Sequence, residues 1–219
     1  MSSTQPPHHY AIILYPGFQA LDIFGPLDIL NIIAISHPNL TISLLSSTLD
    51  PVSTILPSSS SPTFGQSITP THTFSSPPKD IDVLLVPGGF GSRDPEIVKP
   101  AVEFIAKIYP SLKWLLTICT GSVVAAKSGV LNGKKATTYK RMLEWGAREG
   151  PEVKWVQKGR WVEDGNVWSS SGIAAGIDLM YAWVAHVYGE EVSKGVADAS
   201  EYVRRGRDDD PFAERWKDE

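Results

Sequence analysis

Residues 115–126 read LLTICTGSVVAA and contain the single cysteine of the 219-residue chain. A mostly apolar run, 113–118, ends at Cys119, and small residues with helical spacing follow over 122–127. Such a run predicts a strand buried on both faces, as in a parallel sheet, and the small residues predict a helix after it. The stretch therefore predicts the strand–turn–helix unit from which α/β folds are built.

The same alternation of apolar runs and helical patterns extends over most of the chain. Strands are predicted over 10–15, 40–45, 81–86, 113–118, 136–138, 153–156, 161–162 and 166–170. Helices are predicted over 26–35 (with Pro26 in the first turn), 95–109, 122–127, 140–149, 174–188 and 190–205. Because strands alternate with helices, we expect an α/β fold with a mostly parallel sheet and helices on both of its faces.

The segments outside this alternation differ in composition. Residues 46–78 are rich in Ser, Thr and Pro, and we expect a long surface excursion that contains one weak strand pair. We assign a single domain to residues 10–205, between a flexible N-terminus (1–9) and a charged C-terminal tail (206–219).

The composition is typical of a soluble globular protein, with 42% hydrophobic and 20% charged residues. The net charge of -4 offers no basic surface, so no nucleic-acid partner is expected. The N-terminus MSSTQPPHHY lacks a signal-peptide layout, and no apolar run reaches about 18 residues. We therefore expect no contact with a membrane and a cytoplasmic location.

No metal or cofactor site is predicted. A single cysteine excludes an internal disulfide and a thiolate-only metal site, and no His, Asp or Glu pair has convincing metal-ligand spacing. The GGFG turn at 88–91 lacks the Lys-Ser/Thr of a phosphate loop and the glycine spacing of a dinucleotide site. The expected partner is a small-molecule substrate.

Cys119 has two possible interpretations. A lone cysteine is often only a small buried apolar residue. The strand-to-helix turn at Thr120 and Gly121 instead predicts an elbow that presents the sulfur at the sheet edge. The partial positive charge at the N-terminus of the following helix is expected to lower the pKa of the thiol, and its free amides could bind an anion. We favour the interpretation of Cys119 as a nucleophile. We do not expect a Cys-His dyad, because no histidine is placed to pair with the thiol. The histidines of the chain are His8, His9, His37, His72 and His186.

Two further strand-end turns accompany Cys119, and ligands of such folds bind at the carboxyl ends of the strands. Asp22 follows the first strand, where it is either a helix N-cap or a carboxyl group that faces Cys119 and moves a proton. Gly88 and Gly89 follow the third strand, where they form either a tight turn or a pair of amides that approach bound substrate. The sequence leaves both choices open.

Four blocks in this order resemble the ThiJ/PfpI superfamily, of the class I glutamine amidotransferase-like fold, and in particular its isonitrile-hydratase-like branch. They are YPGFQALDIFGP (15–26), DVLLVPGGFG (82–91), ICTGSVVAAKSGVLNGKKATT (118–138) and SSSGIAAGIDLMYAWV (169–184). The resemblance implies a flavodoxin-like three-layer sandwich, usually a homodimer, with the nucleophile on an elbow after a central strand. By position it implies Cys119 as nucleophile, Asp22 as the carboxylate, Thr120 as a third catalytic residue and Gly88-Gly89 as the glycine turn.

The chain departs from other branches of the superfamily at two positions. The glyoxalase- and protease-like branches have glutamate at the place of Asp22, and a histidine shortly after the elbow helix. Here the ATT segment continues into Tyr139 instead of that histidine. The difference weakens the case for glyoxalase, deglycase or protease activity, which depend on a histidine.

The resulting hypothesis is a cofactor-free hydratase that converts an isonitrile to an N-substituted formamide. Cys119 would attack the isonitrile carbon, Asp22 would protonate that carbon or activate water, and Thr120 would position the water. Gly88, Gly89 and Gly121 are expected to bind the substrate or an oxyanion. The pocket wall is expected to include the 46–78 excursion and residues near Tyr139, Trp145 and Trp168.

Two alternatives remain open. One is a glyoxalase-like or other thiol-dependent lyase that acts on small carbonyl compounds. The other is a redox or stress sensor, because an accessible thiol of low pKa is also readily oxidised. A transcriptional regulator is not expected, since no helix-turn-helix pattern follows the predicted domain.

Overall fold

The computed structural model describes residues 6–61 and 63–215. Its strands are β1 (His9–Ile13), β2 (Thr41–Ser46), β3 (Val52–Ser53), β4 (Ser67–Ile68), β5 (His72–Thr73), β6 (Val83–Val86), β7 (Trp114–Thr117), β8 (Lys135–Ala136), β9 (Lys154–Trp155), β10 (Trp161–Asp164) and β11 (Val167–Ser170). A seven-stranded sheet lies at the centre of this part of the chain, with strand order β10-β11-β7-β6-β1-β2-β5.

The sheet is parallel except at one edge, where β10 and β11 form an antiparallel hairpin. Strands β1, β6 and β7 lie side by side, and their apolar runs are almost completely buried. Because these strands are buried on both faces, their sequences are continuously apolar rather than alternating between apolar and polar residues. The predicted mostly parallel sheet is confirmed.

Two groups of helices flank the sheet. One group is formed by α1, α5 and α6, which contact one another, and in the other α3 contacts both α2 and α4. The helices are α1 (Ala20–Ser36), α2 (Pro95–Ile108), α3 (Gly121–Lys127), α4 (Leu143–Glu149), α5 (Ala175–Tyr188) and α6 (Glu190–Ala199). None of the helices described here is long and apolar enough to cross a membrane.

Two predicted helix boundaries are wrong. Helix α1 begins at Ala20 rather than at Pro26, because a buried stripe that includes Ile23 and Ile33 stabilises the turns before and after the proline. Helix α6 ends at Ala199 rather than near Arg205, because Glu201 adopts a left-handed backbone with φ 50°. The amide of Tyr202 then donates to the carbonyl of Ala197 at 2.9 Å, as in a Schellman motif.

Described parts of two segments outside the predicted alternation of strands and helices are built into the fold. Residues 46–78 contain the expected strand pair, β3 and β4, and add the short edge strand β5, which was not predicted. Of the predicted flexible N-terminus, residues 1–5 lie outside the described residues. The amides of His8 and His9 donate to the Asp82 carboxylate at 2.7 and 3.2 Å, so the chain is ordered there by hydrogen bonds.

A buried ion pair connects the hairpin to the helix group formed by α1, α5 and α6. Arg160, just before β10, donates from Nε to Asp178 of α5 at 2.9 Å, and both side chains are almost fully buried. The second carboxylate oxygen accepts from the Tyr202 hydroxyl at 2.9 Å and from the Arg205 amide at 3.0 Å. Asp178 thus holds three separate segments together.

We expect Asp178→Asn to lower the free energy of unfolding by about 3 to 5 kcal/mol, because it leaves the buried Arg160 guanidinium without its counter-charge. Urea unfolding at constant m-value measures the loss. Asp28→Asn, the same change at an exposed site of α1, is the matched control and should have little effect. Equal losses in both variants would contradict the structural role of the pair.

Candidate active site

The elbow at Cys119 is the most constrained backbone position of the site. Strand β7 ends at Thr117, and Cys119 follows with φ 56°, in the left-handed region that residues other than glycine rarely adopt. Its amide donates to the carbonyl of Ser171 at 3.1 Å, which ties the turn to the end of β11. A Cβ at Gly121 would lie 2.1 Å from the carbonyl oxygen of Val86, so only glycine permits the helix to start this close to β6. The predicted strand–turn–helix elbow is confirmed.

Asp22 lies in the first turn of α1 and is completely buried. Its Oδ2 accepts a hydrogen bond from the Gly88 amide at 2.9 Å, whereas Oδ1 has no hydrogen-bond partner among the described residues. The N-cap of α1 is Gln19, so the interpretation of Asp22 as an N-cap is wrong. A buried carboxyl group with one free oxygen is suited to hold or transfer a proton.

Thr120 is held by the glycine turn and by a residue that sequence reasoning missed. Its Oγ1 accepts from the Gly89 amide at 3.1 Å and from Ser92 Oγ at 2.8 Å. The Ser92 hydroxyl is fully buried and also lies 2.7 Å from the Gly89 carbonyl oxygen, so its single hydrogen is shared between that oxygen and Thr120 Oγ1. The GGFGS order in the sequence contained Ser92, but nothing in its spacing indicated a contact with Thr120.

The three glycine amides predicted to bind substrate are already used within the protein. The Gly88 amide donates to Asp22, the Gly89 amide donates to Thr120, and the Gly121 amide donates to the carbonyl of Ile118 at 2.9 Å. These internal hydrogen bonds occupy all three amides, and substrate or oxyanion binding by Gly88, Gly89 and Gly121 stays a prediction. The glycine turn orients the two polar side chains beside Cys119.

The structure also corrects the prediction of a lowered thiol pKa. Burial and then the nearby charge of Asp22 raise the pKa of Cys119 to about 12, although the amides of Ile173 and Thr120 and the Thr120 hydroxyl oppose this by donating to the sulfur. Burial likewise raises the pKa of Asp22 to about 7, against the hydrogen bond from Gly88. The seven-residue helix α3 does not offset the loss of water around the sulfur.

A further buried residue stands next to this pair. The Tyr15 hydroxyl donates to the carbonyl of Pro87 at 2.6 Å, and burial and the charges of Asp22 and Cys119 raise its pKa well above the usual value. Tyr15 therefore remains a neutral donor that fixes the turn before Gly88. Its position in the YPG block gave no signal for this contact.

A pocket of about 390 Å³ opens over Cys119 and Thr120. It is lined by Gln19, Gly89, Phe90, Arg93, Cys119, Thr120, Tyr139, Lys140, Arg160, Ser171, Gly172, Ile173, Ala174, Ala175, Asp210 and Phe212. Tyr139 belongs to the wall as expected, whereas Trp145, Trp168 and the 46–78 excursion are not among the residues that line it. Residues from 46 to 57 line a separate open pocket instead. No histidine lines the described walls of the Cys119 pocket, and no cluster of three metal-ligating side chains was found among the described residues.

The fold and this site define a class of flavodoxin-like α/β proteins that carry a cysteine on a strand-to-helix elbow. The DJ-1/PfpI family model matches residues 8–186, and the chain belongs to this family. The isonitrile hydratase of Pseudomonas putida is 31% identical over 193 residues, which cover 87% of this chain and 77% of the hydratase.

Other relatives have different activities or only a shared fold. A deglycase of Pyrococcus horikoshii is 35% identical over 107 residues, which cover 49% of this chain and only 60% of the deglycase. The crystal structure of a ThiJ/PfpI family protein from Pseudomonas syringae superposes with a TM-score of 0.72 at 26% identity, over 91% of this chain and 77% of that chain. Membership in the family thus leaves the specific reaction open.

We expect Asp22→Asn to lower the pKa of the Cys119 thiol by about one unit, because the carboxylate charge that raises it is removed. The pH dependence of alkylation of this single cysteine, followed by intact mass, measures the shift. Asp28→Asn is again the matched control. An unchanged or higher thiol pKa in Asp22→Asn would show that the two groups do not interact.

Proposed function

We propose that this protein hydrates isonitriles to N-substituted formamides without a cofactor, with Cys119 as the nucleophile. The observation that carries the proposal is the isolated pair formed by the elbow thiol and the buried carboxyl of Asp22, with no histidine on the pocket wall described above. The similarity to an isonitrile hydratase over 87% of the chain supports this assignment.

The pair has the charge that a thiol-dependent hydration needs. With the pKa of Asp22 at about 7 and that of Cys119 at about 12, the two groups together carry one negative charge and one proton between these pH values. Transfer of the thiol proton to Asp22 produces a thiolate and a carboxylic acid without changing the total charge. The nucleophile and the proton donor therefore arise in one step.

In the first half of the reaction, the Cys119 sulfur forms a bond to the terminal carbon of the isonitrile. Asp22 gives its proton to the same carbon, which yields a thioimidate, S–CH=N–R, and restores the carboxylate. No electrons are gained or lost, and the adduct contains all atoms of the isonitrile.

In the second half, the Asp22 carboxylate takes a proton from water as the water oxygen bonds to the thioimidate carbon. The carbon–sulfur bond then breaks, and the formamide R–NH–CHO leaves. The two hydrogens of water end on the substrate nitrogen and on the Cys119–Asp22 pair. The pair thus returns to its starting state.

Thr120 acts on the sulfur in this scheme rather than on the water. Its hydroxyl oxygen already accepts from the Gly89 amide and lies 2.8 Å from Ser92 Oγ, so it is engaged within the protein rather than with water. Its hydrogen is shared between the sulfur, where the hydrogen bond opposes the rise in the Cys119 pKa, and the Gly89 carbonyl oxygen 3.4 Å away. The hydroxyl would stabilise the thiolate when it forms and again when it leaves.

A thiol-dependent lyase of small carbonyl compounds is the second candidate, and the deglycase relatives favour it. The presence of Tyr139 on the pocket wall, where those branches have a histidine, weighs against it. Conversion of methylglyoxal to lactate at a rate above isonitrile hydration would establish this candidate. The raised thiol pKa makes a redox sensor the weaker alternative, because oxidation proceeds through the thiolate.

We expect Cys119→Ala to reduce isonitrile hydration by roughly 10³-fold or more, because the covalent step is lost. Thr120→Val should reduce it by about tenfold to a hundredfold, since one hydrogen bond to a charged sulfur is removed. Intact mass of the wild type during turnover should show an adduct equal to the mass of the isonitrile. Turnover that survives in Cys119→Ala, or an adduct of another mass, would refute the covalent mechanism.

The pH profile gives an independent test. Below the Asp22 pKa of about 7 both groups are protonated and no thiolate can form, so kcat/KM should rise with pH through about 7 and then stay level up to pH 9. Asp22→Asn should lower kcat/KM by roughly 10²- to 10⁴-fold and abolish this inflection. A wild-type profile that stays flat from pH 5 to 9 would contradict the assigned proton donor.

The homodimer and the cytoplasmic location expected from the sequence stay predictions. Leu21 and Phe24 are each 42% exposed on α1 and are large apolar side chains that a second subunit could cover. Light scattering of the purified protein tests the dimer.

A further inference from the structure

The charged segment that follows α6 folds back over the active site. Asp210 Oδ2 lies 3.2 Å from Lys140 Nζ and accepts from the Gly159 amide at 2.9 Å, and both side chains of the ion pair are only 2% exposed. The carbonyl of Arg207 accepts from the Arg160 amide at 2.7 Å, and that of Ala213 accepts from Gln157 Nε2 at 2.7 Å. Residues 207–213 are therefore fixed at three points to residues 140–160.

Lys140 serves as an anchor in this arrangement rather than as a nucleophile. Its Nζ donates to Thr137 Oγ1 at 3.1 Å and to the Gly159 carbonyl at 2.8 Å, and it pairs with Asp210. These three partners use all three hydrogens of the ammonium group. The ammonium group is therefore fully occupied, although Lys140 lies on the pocket wall.

The anchored segment contributes two residues to the same pocket as Cys119, namely Asp210 and Phe212. The Asp210 carboxylate is occupied by Lys140, and the other buried cation of the wall, Arg160, is occupied by Asp178. Phe212 is 41% exposed, and Phe90 on the same wall is 63% exposed. The guanidinium carbon of Arg215 lies 4.8 Å from the centre of the Phe212 ring, and that of Arg93 lies 4.8 Å from the centre of the Phe90 ring. Because a guanidinium covers one face of a ring, the rest of each exposed side chain can contact a ligand.

We propose that residues 207–213 form a wall of the substrate site, and that Phe212 selects the substituent of the molecule that reacts at Cys119. The ion pair between Lys140 and Asp210 holds this wall in place. The substrate named here, an isonitrile with a bulky apolar substituent such as benzyl, rests on the proposed function. The selection at the sulfur does not, because any electrophile that reaches Cys119 enters the pocket that Phe212 lines.

The experiment compares the rates at which N-benzylmaleimide and N-methylmaleimide alkylate Cys119, measured by intact mass at one pH. The ratio of the two rates is independent of the thiolate fraction, and the single cysteine makes the product unambiguous. We expect the wild type to favour the benzyl reagent. Phe212→Ala should reduce that preference by about threefold to tenfold, because the apolar contact area of the side chain is lost.

Three further variants test the separate parts of the proposal. Phe64→Ala removes an equally large ring that is 88% exposed and lines neither pocket, and it should leave the ratio unchanged. Phe212→Leu should restore much of the preference, and Asp210→Asn should lose it as Phe212→Ala does. An unchanged ratio in Phe212→Ala overturns the role of the ring, and an unchanged ratio in Asp210→Asn overturns the role of the anchor.

The same variants with benzyl and methyl isocyanide separate this proposal from the proposed function. Turnover of both isocyanides with the same kcat/KM ratio in wild type and Phe212→Ala would leave the hydratase assignment intact and refute the selection by Phe212. A changed maleimide ratio without any isocyanide turnover would support the wall and refute the hydratase. Thermal denaturation of each variant shows whether it is folded.

Discussion

The close approach of three strand-end turns at Gly88 is the constraint on which the site depends. Its amide donates to Asp22 at 2.9 Å, and a Cβ at this position would lie 2.6 Å from the Thr120 amide and 2.9 Å from Cys119 Cβ. A side chain here would therefore separate the carboxyl from the thiol. The parallel sheet brings the three turns to one edge, and the missing side chain lets them touch.

Sequence reasoning predicted the parts of the fold that depend on local pattern. Strands β1, β6 and β7 were predicted correctly because burial on both faces requires a continuous apolar stretch. The elbow at Cys119 was predicted correctly because a helical pattern follows the strand directly. The start of α1 was missed because packing of Ile23 and Ile33 outweighs the helix-breaking signal of Pro26. The pairing of individual amides at Gly88, Gly89 and Gly121 could not be predicted, because it depends on contacts between distant segments.

The wall of the pocket was the least predictable part of the site. Residues 206–215 carry a run of charges without periodicity, a pattern that is typical of a solvated surface segment. Only the fold shows that Asp210 is paired in a buried position with Lys140, some 70 residues earlier, and that Phe212 reaches the pocket. The Ser/Pro-rich excursion, which was the expected wall, lines a different pocket, so composition alone did not indicate proximity to the sulfur.

The absence of a histidine from the described pocket wall is consistent with the proton balance of the pair. A histidine is useful near neutral pH because its pKa lies there, and burial gives Asp22 the same property by raising its pKa to about 7. A carboxylate also raises the pKa of the neighbouring thiol, which a histidine cation would lower. In the proposed reaction the sulfur thus remains protonated until substrate arrives, and its proton is the one that the carbon of an isonitrile requires. A site of this kind favours hydration at carbon over chemistry that needs a standing thiolate.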